Sequence, residues 1–243
     1  MNLWRGPIPG PLGGVDVSSY QGNIAFDVLD VSFIIAKAVE GIGYVDHTFA
    51  RNWSEAKRVG LRRGAYAFVR PDLGNDAESE AAYFLSVLGP LDPGDMLALD
   101  YEVQWGGNVV GWCKAWLDAV RVATGIVPLI YLNLSLVRGH DWTPVFGYPL
   151  WLALYDENPT SLPQTPWPVA IKQWTSSGTV SGIPSARVDL NTAFGEDMTP
   201  EEVIALIEQR YDLTNTLAAV KAQQTKEVTA LREAADKLKN ELA

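Results

Sequence analysis

The sequence has few of the residues that form cross-links and bind metals. Its 243 residues include one cysteine, Cys113, and two histidines. A single cysteine excludes an intrachain disulfide. Cys113 lies in a helical-looking stretch, where a free cysteine is usually a small buried hydrophobic residue. We therefore expect no disulfide framework and an inert, buried thiol.

Positive charge is also scarce. The chain has 19 Lys and Arg residues against 29 Asp and Glu, which gives a net charge of −10. Binding to nucleic-acid phosphates or to anionic lipid requires basic residues, so neither partner is expected. No stretch is long and apolar enough to span a bilayer, and residues 1–10 lack the apolar run of a secretory signal. We expect synthesis in the cytoplasm, with export that depends on another factor.

Short apolar runs alternate with helical patterns along most of the chain. The predicted strands are Gly13–Val17, Ser32–Val39, Gly64–Val69, Met96–Tyr101, Val127–Leu132, Pro149–Tyr155, Val169–Trp174 and Arg187–Leu190. The predicted helices are Asp46–Val59, Asp76–Leu88, Asn108–Ala123 and a shorter one around Leu134–Val137. The last two connections are Pro-rich and Ser/Gly-rich, which disfavours helices there.

This alternation of strands and helices predicts the fold class. Over about 200 residues it favours a parallel sheet, and eight strands favour closure into a barrel. We predict an α/β fold: an eight-stranded TIM-like barrel with its late helices missing, of the (β/α)5(β)3 type. An open doubly wound sheet is the alternative, which no glycine-rich phosphate fingerprint supports. Residues 1–197 are assigned to the barrel and 198–243 to an α-helical tail.

The tail has a strong helix start, with Thr199 as N-cap and Pro200 at the first helical position. Its apolar stripe comprises Leu217, Val220, Val228, Leu231, Leu238 and Leu242. Several of these are eleven residues apart, a spacing that favours straight or slightly right-handed packing. An isolated helix of this length is only marginally stable in water, and it would gain most of its stability by burying such a stripe against a partner. We therefore expect a coiled-coil homo-oligomer or packing on the barrel, with a solvated helix as the alternative.

Two carboxylates end the fourth predicted strand. Asp100 and Glu102 follow the apolar run 96–99. Alternate strand residues point to one side, about 6.5–7 Å apart, so both should face the barrel mouth where such barrels hold active sites. Two carboxylates this close cannot both ionise freely, so one of the two should have a raised pKa. An acid that carries a proton beside a charged partner is what glycoside cleavage requires. A solvated loop is the alternative. His47 and His140 lie far away in sequence, so we expect no metal and no cofactor.

Acidic and aromatic residues lie at other predicted strand ends as well. Asp16 belongs to the first strand and Asp189 to the last, and these strands are neighbours in a closed barrel. Four acids at one mouth are hard to explain as turn or cap residues. Aromatic side chains near these ends are candidates for stacking on sugar rings, although some should be core. They are Tyr20, Tyr66, Phe68, Tyr131, Trp151, Tyr155 and Trp174.

Seven segments follow, in order, the pattern of a known family. They are GVDVSSYQGNI, AKAVEGIGYVDHTFARNW, GLRRGAYAFVRP, LALDYEV, TGIVPLIYLN, PLWLALYD and the run from IKQWTSSGTVSGI to VDLN. Over residues 12–195 they resemble glycoside hydrolase family 25, the Chalaropsis-type lysozymes or N-acetylmuramidases. The resemblance implies hydrolysis of the β-1,4 bond from N-acetylmuramic acid to N-acetylglucosamine in peptidoglycan. It also implies that Glu102 is the acid, Asp100 its partner, and Asp16 and Asp189 the further site aspartates.

One position departs from the family pattern. Members often carry His where this chain has Ala67, between Tyr66 and Phe68. On an alternating strand Ala67 points away from both neighbours, so we expect changed packing rather than lost activity. Many members are phage endolysins, which fits a cytoplasmic enzyme that reaches the wall after holin-type release. A barrel that binds glycan without cutting it, disfavoured by the Asp100 and Glu102 pair, and an assembly protein are the alternative functions.

Overall fold

The computed structural model describes residues 12–194, which form a barrel with helices on part of its outer surface. The strands are β1 (Leu12–Val17), β2 (Phe33–Glu40), β3 (Tyr44–Val45), β4 (Arg62–Phe68), β5 (Met96–Asp100), β6 (Leu129–Asn133), β7 (Leu150–Ala153), β8 (Val169–Gly178) and β9 (Val188–Ala193). The helices are α1 (Phe49–Arg58), α2 (Ala77–Leu88), α3 (Val109–Thr124) and α4 (Leu134–Gly139). The link after β1 contains two 3-10 turns, Ser19–Gln21 and Phe26–Val28.

The barrel closes because β1 pairs with both β2 and β9. The remaining strands follow in the order β9, β8, β7, β6, β5, β4 and β2, and β3 pairs with β2. Each of the eight predicted strands overlaps one strand of this barrel. The predicted closed barrel is therefore confirmed, and the alternative of an open doubly wound sheet is wrong.

The expectation of an all-parallel sheet is wrong for the last strand, because β9 runs antiparallel to both of its neighbours. Nine residues separate Gly178 from Val188, fewer than the roughly dozen that a parallel crossover needs. The chain must therefore turn back directly after β8. In addition, β8 continues to Gly178, so the Ser/Gly-rich run predicted as a link begins inside the strand.

Local sequence signals begin and end the helices near the predicted positions. The Asp76 side chain accepts a hydrogen bond from the backbone N–H of Ser79 (2.7 Å) at the start of α2. Asn108 caps the start of α3 in the same way. Gly89 (φ 68°) follows α2 and Gly125 (φ 74°) follows α3, at backbone angles that glycine adopts most readily. Short-range signals are thus sufficient to place these helix ends.

Apolar side chains fill two layers, one inside the barrel and one between the strands and the helices. The inner layer comprises Phe33, Ile35, Met96, Ala98, Leu129, Tyr131, Trp151, Ala153 and Ile171. Cys113 lies in the outer layer and is fully buried, as predicted. Ala67 also lies there, whereas Tyr66 and Phe68 line the barrel mouth. The predicted direction of Ala67 is therefore confirmed.

Loops rather than helices cover the late strands. Residues 154–168 join β7 to β8 without a helix or strand, as the Pro-rich composition predicts. Beneath this loop Lys172 is completely inaccessible to solvent. Within residues 12–194, no helix combines the length and the apolar character that a membrane crossing demands. The predicted tail, 198–243, and its boundary with the barrel lie outside the described residues.

Candidate active site

The four predicted acids meet in one cleft at the barrel mouth, together with aromatic and polar side chains. Asp16 reaches it from β1, and Asp100 is the last residue of β5, with Glu102 two positions later. Asp189 reaches it from β9, directly opposite Asp16 in the strand register. Because β9 is antiparallel, the start of that strand lies beside the ends of its neighbours. A residue near the beginning of β9 can therefore join the same mouth.

Asp16 is buried and is held by two side-chain amides. Its Oδ2 accepts hydrogen bonds from Gln173 Nε2 (2.8 Å) and Asn191 Nδ2 (2.7 Å). The Oε1 of Gln173 in turn accepts hydrogen bonds from the hydroxyls of Tyr131 (2.8 Å) and Tyr155 (2.7 Å). These phenols fix the orientation of the Gln173 amide, with its NH2 group toward the carboxylate. The protein itself thus satisfies Asp16.

Asp16 and Asp189 form a carboxyl pair at the seam between β1 and β9. Burial and the charge of Asp189 raise the pKa of Asp16 well above its usual range, against the hydrogen bonds from Asn191 and Gln173. Burial and the charge of Glu102 raise the pKa of Asp189 to about 6, against a hydrogen bond with Asp16. Two carboxyl groups this close do not both ionise freely, so the proton they bind belongs to the pair.

Asp100 and Glu102 form a second carboxyl pair, at the end of β5. Asp100 is only 6% exposed, whereas Glu102 is open to the cleft. Burial, followed by the charges of Glu102 and Asp16, raises the pKa of Asp100 well above its usual range. Burial of its carboxyl against the cleft wall also raises the pKa of Glu102, opposed by Lys37 and by a hydrogen bond with Asp100. This pair therefore keeps a proton at a pH where isolated carboxyls have lost theirs.

One oxygen of this second pair has no hydrogen-bond partner. Asp100 Oδ1 is buried, yet no group in residues 12–194 donates to it. A buried acceptor without a donor is costly. The oxygen is therefore available to a donor on a bound molecule.

Lys37 also lines the cleft, and it was not predicted from the sequence as a site residue. Its Nζ lies 2.8 Å from Glu40 Oε2 and 4.7 Å from the centre of the Phe68 ring. Its charge opposes the rise that burial produces in the pKa of Glu102. The available signal was a lysine inside the otherwise apolar run 33–39, a position where lysine is seldom found without a partner.

Four uncharged polar residues of the site were missed as well: Ser18, Gln21, Gln173 and Asn191. Ser18, Gln173 and Asn191 lie at a predicted strand end or directly after it, and Gln21 lies in the 3-10 turn that follows β1. Serine and amide side chains are common at such positions for purely local reasons. Position alone could therefore not identify them as site residues.

The structure brings six of the seven predicted aromatic residues to the cleft: Tyr20, Tyr66, Phe68, Tyr131, Trp151 and Tyr155. The rings of Tyr131 and Trp151 meet edge to face with centroids 4.9 Å apart, and both are buried. Tyr20 and Tyr155, which are 87% and 54% exposed, stand at the rim. Trp174 is not among the residues that line the cleft, and the pairing of β8 with β9 is irregular at this point, between Gln173 and Thr175.

Within residues 12–194, no three or more His, Cys, Asp or Glu side chains are arranged to hold a metal ion. What the cleft offers is two carboxyl pairs whose pKa values are raised by burial, together with flat aromatic surfaces. A carboxyl pair of this kind can protonate a leaving oxygen and stabilise the positive charge that develops on a sugar carbon. The aromatic rings suit the apolar faces of sugars.

Known proteins resemble this chain in both sequence and fold. The sequence matches the family model described as Glycosyl hydrolases family 25 over residues 15–183. It is 29% identical over 184 residues to the autolytic lysozyme of Clostridium acetobutylicum, across 73% of this chain and 54% of that protein. The chain thus spans about half the length of that curated relative.

Two solved structures share the fold over most of their length. The lysozyme from Streptomyces coelicolor gives a TM-score of 0.67 at 25% identity, covering 82% of this chain and 98% of that one. The catalytic domain of endolysin ply40, from bacteriophage P40 of Listeria monocytogenes, gives a TM-score of 0.63 at 26% identity, covering 81% and 97%. In both comparisons the shared part is nearly the whole of the solved chain.

Proposed function

The chain belongs to Glycosyl hydrolases family 25, and on that premise we propose that it is a lysozyme that cleaves bacterial peptidoglycan. The bond it hydrolyses is the β-1,4 link from N-acetylmuramic acid to N-acetylglucosamine. The observation that carries the proposal is the carboxyl pair of Asp100 and Glu102, placed with two further acids in an aromatic-lined cleft. One protonated acid beside one charged partner is the requirement for glycoside cleavage.

Glu102 is the proton donor in this proposal. It is the member of its pair that is open to the cleft, and its raised pKa keeps a proton available. Donation to the glycosidic oxygen lets the N-acetylglucosamine side leave with its hydroxyl restored. Water then supplies the hydroxyl at the muramic acid carbon, which completes the hydrolysis.

Asp100 acts on the substrate without donating the proton. Once the proton of the pair resides on Glu102, Asp100 is ionised and stabilises positive charge at the sugar carbon. Its unpartnered Oδ1 is also available to accept a hydrogen bond from the N–H of the substrate's acetamido group. Either interaction gains strength in a buried site, where the effective dielectric constant is low.

Asp16 and Asp189 shape the cleft and adjust the charge around the reacting pair. The hydrogen-bonding capacity of Asp16 Oδ2 is used by Gln173 and Asn191. The negative charges of Asp16 and Asp189 both raise the pKa of Asp100 beyond the rise due to burial. These two acids therefore help the pair of Asp100 and Glu102 to keep its proton. They do not transfer a proton to the substrate themselves.

Digestion of purified cell walls, followed by mass analysis of the reduced fragments, tests the activity. We expect falling turbidity and fragments whose reducing end is N-acetylmuramic acid. Fragments that end in N-acetylglucosamine would contradict the proposed bond. A protein that sediments with the walls but leaves their turbidity unchanged would be a binding module rather than an enzyme.

We also propose that the enzyme is made in the cytoplasm and acts on the wall after holin-type release, as a phage endolysin does. Its similarity to endolysin ply40 of a Listeria phage supports this, and its strongly negative charge disfavours nucleic acid as a partner. We further propose self-association through residues 199–243, which would bring several barrels to one polymer. Light scattering should give a multimer for the full chain and a monomer without this segment; a monomeric full chain would contradict it.

A further inference from the structure

We propose that Lys172, a buried lysine outside the catalytic cleft, is a positioning residue that holds Tyr155 at the cleft rim. It acts by fixing the loop 154–168, which joins β7 to β8 and includes Tyr155. The inference rests on the proposed function, since its consequence is the binding of the glycan. Lys172 itself touches no part of the cleft.

The Lys172 ammonium is enclosed by oxygen atoms of the loop. Its Nζ lies 2.7 Å from Asp156 Oδ1, 2.8 Å from the carbonyl oxygen of Asn158, and 2.9 Å from both the carbonyl oxygen and Oγ of Ser161. The side chain is completely inaccessible to solvent. A buried charge is stable only when it is paired and hydrogen-bonded, and here all four acceptor oxygens belong to the loop.

The loop 154–168 contains no helix or strand that could organise it. Its polar groups are arranged around the Lys172 ammonium instead. Asp156 accepts a hydrogen bond from Ser161 Oγ (2.6 Å) as well as from Lys172. Asn158 Oδ1 accepts hydrogen bonds from the backbone N–H groups of Thr160 and Ser161. Over the early strands an apolar helix face attaches the covering segment to the barrel. Over β8, Lys172 attaches the covering loop by hydrogen bonds.

Tyr155 connects this loop to the cleft. It directly precedes Asp156, and its hydroxyl donates a hydrogen bond to Gln173 Oε1 (2.7 Å). Lys172 and Gln173 are neighbours on β8 and point to opposite faces of the barrel wall. The loop is thus held on both faces of one strand, by Lys172 outside and through Tyr155 inside.

A second observation shows that the loop needs to be held. Glu157 has a φ of 55°, a left-handed conformation that is unfavourable for residues other than glycine. Its carboxylate accepts a hydrogen bond from Thr175 Oγ1 (2.8 Å), and its N–H donates to the Trp174 carbonyl oxygen (3.3 Å). Without Lys172 the loop can relax from this conformation, and the exposed ring of Tyr155 would move with it.

The test is the substitution Lys172→Met, which keeps most of the length of the side chain and removes its charge and donors. With soluble peptidoglycan fragments as substrate, we expect KM to rise roughly tenfold while kcat changes by less than about twofold. This is the pattern for loss of uniform substrate binding. The matched control is Arg63→Met, because Arg63 is also buried and bonded to acids, Asp92 and Asp95, but near the opposite end of the barrel.

A double substitution shows whether Lys172 acts through Tyr155. In a Tyr155→Ala background, Lys172→Met should cause no further rise in KM, because the side chain that it positions is gone. An undiminished rise in that background would overturn the proposal. So would an equal rise in KM for Lys172→Met and Arg63→Met, which would indicate a general loss of stability. If Lys172→Met does not fold, Asp156→Asn replaces it with the same expectations.

Hydrogen exchange separates a failure of this inference from a failure of the proposed function. In the absence of substrate, amides of residues 154–161 should exchange at least about tenfold faster in Lys172→Met than in the wild type or in Arg63→Met. Unchanged exchange of these amides would overturn the proposed role of Lys172, even if the enzyme is active. A wild-type protein that leaves peptidoglycan intact would refute the proposed function, while faster exchange would still support the role of Lys172 in the loop.

Discussion

The two carboxyl pairs of the cleft contain similar groups in different surroundings. On the seam side, Asp16 Oδ2 accepts hydrogen bonds from two amides, and Asp189 stands beside it. On the β5 side, Asp100 Oδ1 has no donor among the described residues, and Glu102 is open to the cleft. Burial raises the pKa in both pairs, so acidity alone does not distinguish them.

What distinguishes the pairs is hydrogen-bonding capacity left over for a substrate. In the pair of Asp16 and Asp189, Asp16 Oδ2 is already bonded to two amides of the protein, so we assign this pair a contribution through the shape and charge of the cleft. The β5 pair keeps an accessible acid in Glu102 and a free acceptor in Asp100, which are the two groups that a breaking glycosidic bond requires. The following substitutions test this division, beginning with the largest expected effect.

Replacing Glu102, the proposed proton donor, should have the largest effect. Glu102→Gln keeps the shape of the side chain and removes the proton, so lysis of cell walls should slow at least about 100-fold, within the 100- to 10,000-fold range typical of a positioned acid. Circular dichroism should show an unchanged fold. The control Glu78→Gln, on the exposed surface of α2, should leave the rate unaltered. Near wild-type lysis by Glu102→Gln would contradict the assignment of Glu102 as proton donor, and with it the division of roles between the two pairs.

The second largest effect is expected at the partner acid. Asp100→Asn removes the charge that stabilises the developing positive charge, so kcat should fall by about 100-fold, with a much smaller change in substrate affinity. Steady-state kinetics on soluble peptidoglycan fragments, together with direct binding measurements, separates the two quantities. If only binding weakened, Asp100 would have no special role in the transition state.

Substitutions in the pair of Asp16 and Asp189 should have a smaller effect on activity, and one that depends on pH. Because the negative charges of Asp16 and Asp189 raise the pKa of Asp100, alanine at either position should let Asp100 ionise at lower pH. Activity should decrease, and the acid limb of the pH–rate profile should move to lower pH. The measurement is kcat/KM across the acid range for both variants. An acid limb that stays in place in both would argue against a shared site.

The smallest effect on activity is expected outside both pairs. Ala67→His inserts the residue that family members often carry, but Ala67 faces the outer layer and is 1% exposed. Overpacking should lower the free energy of unfolding by about 1–3 kcal/mol, with kcat/KM unchanged. Urea unfolding and a lysis assay measure the two effects. A change in rate comparable with that of the seam variants would mean that the outer layer controls the cleft.

Those parts of the fold and the site that depend on local pattern could be predicted from the sequence. The apolar run before Asp100 identifies a buried strand, and its alternation brings Asp100 and Glu102 to one side. Asp16 and Asp189 follow from barrel closure, because the first and last strands must then be neighbours. Helix ends followed from single residues such as Asp76 and Gly125, since caps act within one turn.

Features that depend on distant parts of the chain could not be predicted. The direction of β9 is determined by the space left in the barrel and by the short link before it. Lys172 looks like a surface residue until the loop oxygens that enclose it are known. Trp174 was assigned to the cleft from its strand end, whereas it does not line the cleft in the structure, where the pairing of β8 with β9 is irregular after Gln173. In each case the deciding contact joins separate segments.

The pH dependence of kcat/KM for wild type and Glu102→Gln on the same peptidoglycan tests the central claim most directly. Since burial raises the pKa of Glu102 and the donor must be protonated, wild-type activity should fall as pH rises above that pKa, giving a basic limb. The residual activity of Glu102→Gln should lack this limb, because no proton remains to be lost at that position. The same basic limb in both proteins would contradict Glu102 as the proton donor.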